Sequence, residues 1–421
     1  MAKLFVRCVK CNKSRSLSDI FRPASHKGTP CLGERPWMVE GAEECDQVPL
    51  TVQRGASNLY FPQMESALLI PPWSEQVIQS LGDSWRYIEM AASREDRHKH
   101  IQMYWEHFPD EINRMGLVPF LEFVDLKIEE GDKVRSGNLR WDEYQQFMVA
   151  RGRRQRLKDE FIVKEEPLPD TENYLGHLQR VVALREIRAL KSFTRIEPPP
   201  GKPPVLKQFL SKVKFDWLPA VEVRGEGVFL ALNMQTLNTW EEREDVQTQA
   251  LKVESLEESR VLNPDGKQIV CSPALQARFL LLHSLAHILM KQLSLQCGYS
   301  SASLRERLYV GNDATDMAGV MIYTATSDSD GTLGGLQRQG NVGMFLPMFY
   351  EAIKSSEWCS SDPLCIKGLV SETEETLGAA CHSCLLAPET SCEEYNRFLD
   401  RTMLVGTPEN RDIGFFNQIL R

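Results

Sequence analysis

Apolar residues recur every three or four positions in two stretches of the middle of the chain, SEQVIQSLGDSWRYIEMAA at 74–92 and NYLGHLQRVVALREIRALKSF at 173–193. This spacing places apolar side chains along one face of a helix. The surrounding sequence is rich in charge and closes with EPPPGKPP at 197–204, a composition typical of a linker or domain boundary. The pattern therefore predicts a charged, mostly helical region over residues 74–204.

The remaining half of the chain, residues 205–421, mixes strand and helix patterns. The segment WLPAVEVRGEGVFLALN at 217–233 alternates in polarity around a Gly-Glu-Gly sequence and predicts a hairpin or strand–turn–strand unit. Ser272 and Pro273 suit the start of a helix, which is apolar nearly all round and is predicted to end at Gly298. MAGVMIYTAT at 317–326 predicts a core strand, and NVGMFLPMFYEAIKSSEW at 341–358 predicts a further helix. The predicted fold class is α/β (mixed α+β).

Residues 1–73 show little helical periodicity and end near the double proline at 71–72. They contain four cysteines, Cys8, Cys11, Cys31 and Cys45. A C-x2-C pair presents two thiolates at one turn, and two more distant cysteines complete a tetrahedral set. We interpret this block as a zinc-binding module. A redox C-x2-C pair is the alternative, but the βαβ pattern that such a motif normally occupies is missing.

Composition favours metal binding over disulfides for these cysteines. Of 421 residues, 42% are hydrophobic and 25% are charged, as in ordinary globular proteins. No apolar run reaches the roughly 18 residues of a membrane span, and the N-terminus lacks the apolar core of a secretion signal. We therefore expect a cytoplasmic protein, and the eleven cysteines stand in a reducing compartment.

Five further cysteines lie near the C-terminus, at 359, 365, 381, 384 and 392. Cys381 and Cys384 form a second C-x2-C pair, and Cys392 stands where Ser391 and Glu394 predict the capping box of a helix. We take Cys365, Cys381, Cys384 and Cys392 as the ligands of a structural zinc ion, with Cys359 competing with Cys365 for the fourth position. A site of four cysteines is normally closed, which argues against catalysis there.

Two other motifs have both a structural and a functional interpretation. His283 and His287 share one helix face in HSLAH, but Ser284 replaces the glutamate of the zinc-peptidase motif. We interpret both as core histidines, with metal ligation as the alternative. Asp328 and Asp330 lie in TSDSDGTLGG at 326–335, which favours a tight turn over a functional loop. The chain has no P-loop and no GxSxG motif, so we expect a protein that is not an enzyme.

Contact with nucleic acid would require a local basic patch, because the net charge is −9. Two clusters of basic residues are candidates for contact with DNA: Arg7, Lys10, Lys13 and Arg15 in the N-terminal module, and Arg151, Arg153 and Arg154 in the middle region. For the second cluster, a solvated helix face is the competing interpretation.

Several segments together resemble the DrmB family, the accessory subunit of the DISARM anti-phage defence system. They are RGASNLYFP, WLPAVEVRGEGVFL, LLHSLAHILMKQL, IYTATSDSDGTLGGL and AACHSCLLAPETSCEEYNRFLDRTMLVG. The last segment is similar to the four-cysteine domain that ends MrfA-type helicases, in which a cysteine knuckle precedes positions matching Asn396, Leu399 and Asp400.

The resemblance implies a subunit without ATPase activity that partners a DrmA-type helicase and acts on DNA as part of that complex. In this family the pair works beside a phospholipase-D-like protein and a DNA methyltransferase. We expect two zinc ions per chain and no contact with membranes. The rival hypotheses are a hydrolase that uses Asp328 and Asp330 with His283 or His287, and a structural adaptor that makes no contact with nucleic acid.

Overall fold

A mixed sheet-and-helix architecture confirms the predicted fold class. The computed structural model describes residues 5–16, 60–70, 80–113, 116–131, 139–149, 161–195, 208–211, 215–253, 272–312, 315–326, 335–369 and 378–420. A small two-stranded antiparallel sheet joins β1 (Phe5–Arg7) to β2 (Ser14–Ser16). The main sheet has the strand order β3-β5-β7-β9-β8, and β4 and β6 also pair with β5. Its strands are β3 (Phe61–Leu68), β4 (Ile162–Glu165), β5 (Leu175–Thr194), β6 (Gln208–Phe209), β7 (Ala220–Leu232), β8 (Leu304–Asn312) and β9 (Thr315–Thr326).

Among the described residues, the helices fall between and after the strands of the main sheet. The described helices are α1 (Asp83–Glu89), α2 (Arg94–Tyr104), α3 (Asp110–Asn113), α4 (Leu117–Gly131), α5 (Leu139–Val149), α6 (Met234–Glu241), α7 (Glu244–Ala250), α8 (Pro273–Cys297), α9 (Gly335–Gln339), α10 (Val342–Ser355) and α11 (Thr402–Val405). Single 3-10 turns occupy Trp105–His107, Ser301–Ser303, Arg411–Ile413 and Asn417–Leu420.

Helix α8 lies in the largest hydrophobic core, and its predicted ends are confirmed. The Ser272 hydroxyl accepts a hydrogen bond from the Leu275 amide, and Pro273 opens the first turn. The helix ends at Gly298, whose φ of 72° is the left-handed conformation that glycine adopts without strain. Every residue from 280 to 290 is buried, as an apolar surface on all sides requires.

The prediction of a helix at 173–193 is wrong, because these residues form β5, a 20-residue strand. From Leu184 onward the buried positions alternate, but several of them are polar or charged, as at Glu186 and Arg188. Because charged residues occupy some of the alternating buried positions, the alternation is not visible when only apolar residues are considered. Their burial is possible because they pair: the Arg188 guanidinium contacts the Glu186 carboxylate at 2.7 Å, and the Tyr323 hydroxyl donates to the same carboxylate.

The predicted turn at Gly225-Glu226-Gly227 is also wrong, because β7 runs straight through it and pairs antiparallel with β9. A Cβ atom on Gly227 would lie 2.4 Å from the carbonyl oxygen of Ile322 in β9. Glycine is therefore needed for close approach between two strands and not for a change of direction. The strand predicted at 317–326 and the helix predicted at 341–358 are confirmed as β9 and α10.

The chain divides into two compact units, and each contains two separate stretches of sequence. One unit comprises Met1–Glu65 with Ala189–Ala220, and the other comprises Ser66–Arg188 with Val221–Arg421. Within the first unit, Lys191 forms an ion pair with Glu65 at 2.6 Å. The division of the sequence at residues 73 and 204 stays a prediction.

Candidate metal centre

Four cysteine thiols converge in the second unit. The sulfur atoms of Cys359, Cys365, Cys381 and Cys384 all lie within 4.8 Å of one another, and all four residues are buried. The Sγ···Sγ distances are 3.4 Å from Cys359 to Cys381 and 3.6 Å from Cys384 to both Cys365 and Cys381. Tetrahedral zinc with Zn–S bonds of about 2.3 Å separates its sulfur ligands by about 3.8 Å. The donor set and its spacing therefore fit a closed zinc site.

Two tight segments of backbone bring the cysteines together. Cys359 and Cys365 follow the end of α10, and the Cys365 amide donates to the Ser361 carbonyl at 3.0 Å. Cys381 and Cys384 form the predicted knuckle, closed by a hydrogen bond from the Cys384 amide to the Cys381 carbonyl at 3.1 Å. Two backbone amides also point at sulfur: Ser361 donates to Cys359 Sγ at 3.4 Å, and Cys381 donates to Cys384 Sγ at 3.3 Å. Such donors favour the thiolate form, which is the form that binds metal.

A buried arginine supports the same centre. The Arg401 guanidinium is fully buried, contacts Asp362 Oδ1 at 2.6 Å and donates to the Ser356 carbonyl at 3.0 Å. Asp362 in turn accepts the Cys359 amide at 2.9 Å. The hydrogen bond from Cys365, joined by the Cys381 amide and the charge of Arg401, lowers the pKa of the Cys384 thiol to about 5 against the effect of burial. These contacts favour the thiolate form of Cys384, the form that binds metal.

Cys392 lies outside this cluster, which differs from the predicted ligand set. Both Cys359 and Cys365, between which the sequence left a choice, belong to the four. Cys392 instead lies with His283, His287 and Glu306, all buried. The helix predicted after Ser391 does not form, because residues 391–398 make turns in which Tyr395, Asn396 and Phe398 have positive φ. The Ser391 hydroxyl donates to the Ser301 carbonyl at 2.8 Å.

The positions that resemble the MrfA-type motif hold the cysteine segments in place. The Asn396 side chain exchanges two hydrogen bonds with the backbone of Ala387, at 2.9 and 2.8 Å. Asp400 Oδ1 accepts the Ala379 amide at 3.1 Å, two residues before Cys381. Sequence reasoning did not identify Arg401 and Glu306, because each reaches its cluster from another segment and belongs to no local motif. Asp362 lies between Cys359 and Cys365, but its pairing with Arg401 is not visible in the sequence.

The N-terminal hairpin presents two of its predicted ligands at its turn. Cys8 and Cys11 are exposed between β1 and β2, where the Cys8 amide donates to the Lys13 carbonyl at 2.8 Å. Hydrogen bonds from the backbone of Cys11 and Lys10 lower the pKa of the Cys8 thiol. The remaining predicted ligands, Cys31 and Cys45, lie outside the described residues.

Among the basic candidates for DNA contact, Arg7, Lys10 and Lys13 are exposed on this hairpin. The side chain of Arg15, the cluster at 151, 153 and 154, and the loop residues Asp328 and Asp330 lie outside the described residues. His283 and His287 have exposures of 0% and 1%, which leaves a substrate no access to their imidazoles. Among the described residues, no helix has the length and apolarity to cross a membrane.

Comparison with known proteins places the four-cysteine cluster in a known class of zinc-binding domain. Residues 285–385 match the MrfA Zn-binding domain, and this range includes all four clustered cysteines. The chain is thus a protein with a zinc-binding domain related to that of MrfA, and the cluster and the match together support zinc. Residues 1–61 match a domain of unknown function, DUF8724.

A curated relative extends the likeness to nearly the whole chain. The chain is 32% identical over 434 residues to the DISARM protein DrmB of Bacillus paralicheniformis, covering 99% of this chain and 75% of that protein. The chain therefore belongs to the DrmB family of DISARM proteins. A solved structure of the DUF1998 helicase MrfA bound to DNA is also similar, at 10% identity and a TM-score of 0.26, over 56% of this chain and 24% of that one.

Proposed function

We propose that this chain is a zinc-stabilised accessory subunit without ATPase activity that binds a DrmA-type helicase and supports DNA binding in defence against phage. The observation that carries the proposal is the identity of 32% with a DISARM protein over 99% of the chain. The buried four-cysteine cluster supports a scaffolding role, because four thiolates would fill the coordination sphere of zinc and leave no open position for a substrate.

The proposal includes two zinc ions per chain in all-cysteine sites. One would be bound by Cys359, Cys365, Cys381 and Cys384, and the other by Cys8, Cys11, Cys31 and Cys45. When bound, zinc would supply folding free energy, on the order of 10 kcal/mol for a structural site. The residues around the C-terminal set would hold the thiolates by backbone N–H donors and the charge of Arg401.

Association with the helicase is tested by co-expression with a DrmA-type helicase and purification through a tag on the helicase. We expect this chain to co-purify in a fixed ratio and to carry zinc. Cys359→Ser should reduce both zinc content and recovery of the complex. Cys297→Ser is the matched control, since Cys297 is partly exposed on α8 and belongs to neither buried cluster. A well-folded wild-type chain that never co-purifies would contradict this part of the proposal.

Contact with DNA is tested on the N-terminal hairpin within the purified complex. We would replace Arg7, Lys10 and Lys13 with alanine and titrate single-stranded and forked DNA at several salt concentrations. For every phosphate that the variant no longer neutralises, the slope of log K against log salt should fall by about 0.7–0.9. A control variant removes the same charge from exposed positions on other elements: Lys99, Lys164 and Lys354.

The comparison of these two variants distinguishes a chain that contacts DNA from a structural adaptor that does not. Weaker binding and a smaller salt slope in the hairpin variant alone, with zinc retained, would support a DNA contact at the hairpin. Unchanged affinity and slope in both variants would favour an adaptor that organises the helicase without touching DNA.

A further inference from the structure

A second set of metal-ligating side chains lies beside the four-cysteine cluster. His283 and His287 stand one helical turn apart on α8, Glu306 lies on β8, and Cys392 lies in the C-terminal segment. Their donor atoms all lie within 4.8 Å of one another, and all four residues are buried. Three separate parts of the chain therefore converge on one point in the core.

The hydrogen bonds of the two imidazoles fix which nitrogen faces that point. His283 Nδ1 lies 3.1 Å from the Phe398 carbonyl oxygen, and His287 Nδ1 lies 2.7 Å from the Leu385 carbonyl oxygen. A carbonyl oxygen only accepts hydrogen bonds, so each Nδ1 must carry a proton. Both Nε2 atoms then point into the cluster, and in a neutral imidazole each presents a lone pair. This is the arrangement by which backbone carbonyls orient metal-binding histidines.

Without a cation, the Nε2 lone pairs of the two histidines and the carboxylate of Glu306 repel one another. His287 Nε2 and Glu306 Oε2 are 3.4 Å apart, and both lack a hydrogen-bond partner although they are fully buried. A carboxylate facing two imidazole lone pairs is repulsive, and charging both imidazoles would place two cations in the core with ring centroids 4.7 Å apart. One divalent cation removes the conflict, since its charge balances one carboxylate and one thiolate between two neutral histidines.

The distances between the donor atoms, and the hydrogen bond that the Cys392 sulfur accepts, are consistent with a bound zinc ion. Tetrahedral zinc separates a nitrogen ligand from an oxygen ligand by about 3.4 Å and from a sulfur ligand by about 3.6 Å. The observed separations from His283 Nε2 are 3.1 Å to Glu306 Oε1 and 3.1 Å to Cys392 Sγ. The Asn396 amide donates to Cys392 Sγ at 3.1 Å, as backbone amides do to the sulfurs of the four-cysteine cluster.

We propose that His283, His287, Glu306 and Cys392 form an additional zinc site, distinct from the all-cysteine sites. Four protein ligands and complete burial make it a closed, structural site that would join α8, β8 and the C-terminal segment. Residues 285–385, which match the MrfA Zn-binding domain, include neither His283 nor Cys392. The inference therefore goes beyond that match and does not depend on the proposed association with helicase or DNA.

Zinc-edge X-ray absorption on the untagged, full-length protein tests the site without any substitution. All-cysteine sites contribute only sulfur scattering, whereas an imidazole ligand adds a distinctive outer-shell signal. We expect that signal, together with a zinc content above that of the all-cysteine sites, in protein purified without added metal. Fully zinc-loaded protein that shows sulfur scattering alone would overturn the proposal.

Two substitutions then assign the signal to these residues. His283→Gln and Cys392→Ser should each lose one zinc per chain and the imidazole scattering, while the sulfur scattering remains. His382→Asn is the matched control, because His382 is exposed between two ligands of the four-cysteine cluster. If the imidazole signal disappears in His382→Asn and persists in the other two, the assignment is wrong. If either core variant does not fold, the wild-type spectrum compared with that of His382→Asn still decides the question.

Discussion

The ion pair between Asp362 and Arg401 offers a direct test of how the four-cysteine cluster is supported. Asp362 accepts hydrogen bonds from Arg401 and Ile366 through Oδ1 and from the Cys359 amide through Oδ2. Burial alone would raise the pKa of the Asp362 carboxyl, but these hydrogen bonds, Arg401 foremost, lower it. The carboxylate thus ties a buried guanidinium to a metal-binding segment.

The substitution Asp362→Asn removes the charge while it preserves the shape of the side chain. The asparagine side chain has a single carbonyl oxygen, which can accept a hydrogen bond from either Arg401 or the Cys359 amide. Its NH2 group then faces the other of these two donors. Removing one partner of a buried ion pair costs about 3–5 kcal/mol. Because asparagine keeps one acceptor, we expect a loss near the lower end, about 3 kcal/mol. Loss of a group that orients metal ligands typically weakens metal affinity by about 10–100-fold.

Both effects are measurable on the purified protein. Zinc affinity is followed by competition with a chromogenic chelator, and the free energy of unfolding by guanidinium titration with tryptophan fluorescence. Asp245→Asn is the control, since its carboxylate pairs with Arg243 at a site where about a third of each side chain is exposed. A pair so exposed contributes up to about 1 kcal/mol. Equal zinc retention and equal unfolding midpoints in the two variants would refute the reasoning, because they would show that Arg401 needs no carboxylate.

Three further predictions concern a close contact between two strands, a buried ion pair and the removal of zinc. Gly227→Ala should destabilise the protein by about 1–3 kcal/mol in denaturant titration, because its Cβ would lie 2.4 Å from the Ile322 carbonyl, whereas Gly343→Ala, with its nearest neighbour at 3.4 Å, should change little. Burial would raise the pKa of Glu186, but its bond with Arg188 helps to lower it, so its contribution is complete above the ordinary glutamate pKa and is lost as the pH falls below about 4.3. Glu186→Gln should accordingly flatten the acid side of a plot of stability against pH, and an unchanged slope would contradict this. Removal of zinc by a strong chelator should lower the thermal unfolding midpoint, and restoring zinc should recover it; identical midpoints with and without metal would rule out a structural role.

Local signals in the sequence were sufficient for some elements. Helix α8 could be predicted because Ser272, Pro273 and Gly298 mark its ends by chemistry that acts within a few residues. The Cys381–Cys384 knuckle was predictable for the same reason, since a C-x2-C pair determines its own turn.

Features that depend on distant contacts were not predictable in this way. Strand β5 looked helical because Glu186 and Arg188 occupy buried positions that an apolar pattern counts as exposed. The sequence left a choice between Cys359 and Cys365 and included Cys392, whereas the cluster contains both Cys359 and Cys365 and leaves Cys392 out. Which segments return to the knuckle determines this set, and sequence spacing does not. The grouping of His283 and His287 with Glu306 required the placement of β8 beside α8.

The division of the first compact unit between Met1–Glu65 and Ala189–Ala220 has a consequence for biosynthesis. At about 5–20 residues per second, a ribosome needs roughly 6–25 s to synthesise the intervening stretch. Until then the N-terminal stretch lacks the second part of its unit, including the Lys191 partner of Glu65. A fragment that ends near residue 73 remains permanently in that incomplete condition, so a recombinant version of the N-terminal module should also include residues 189–220.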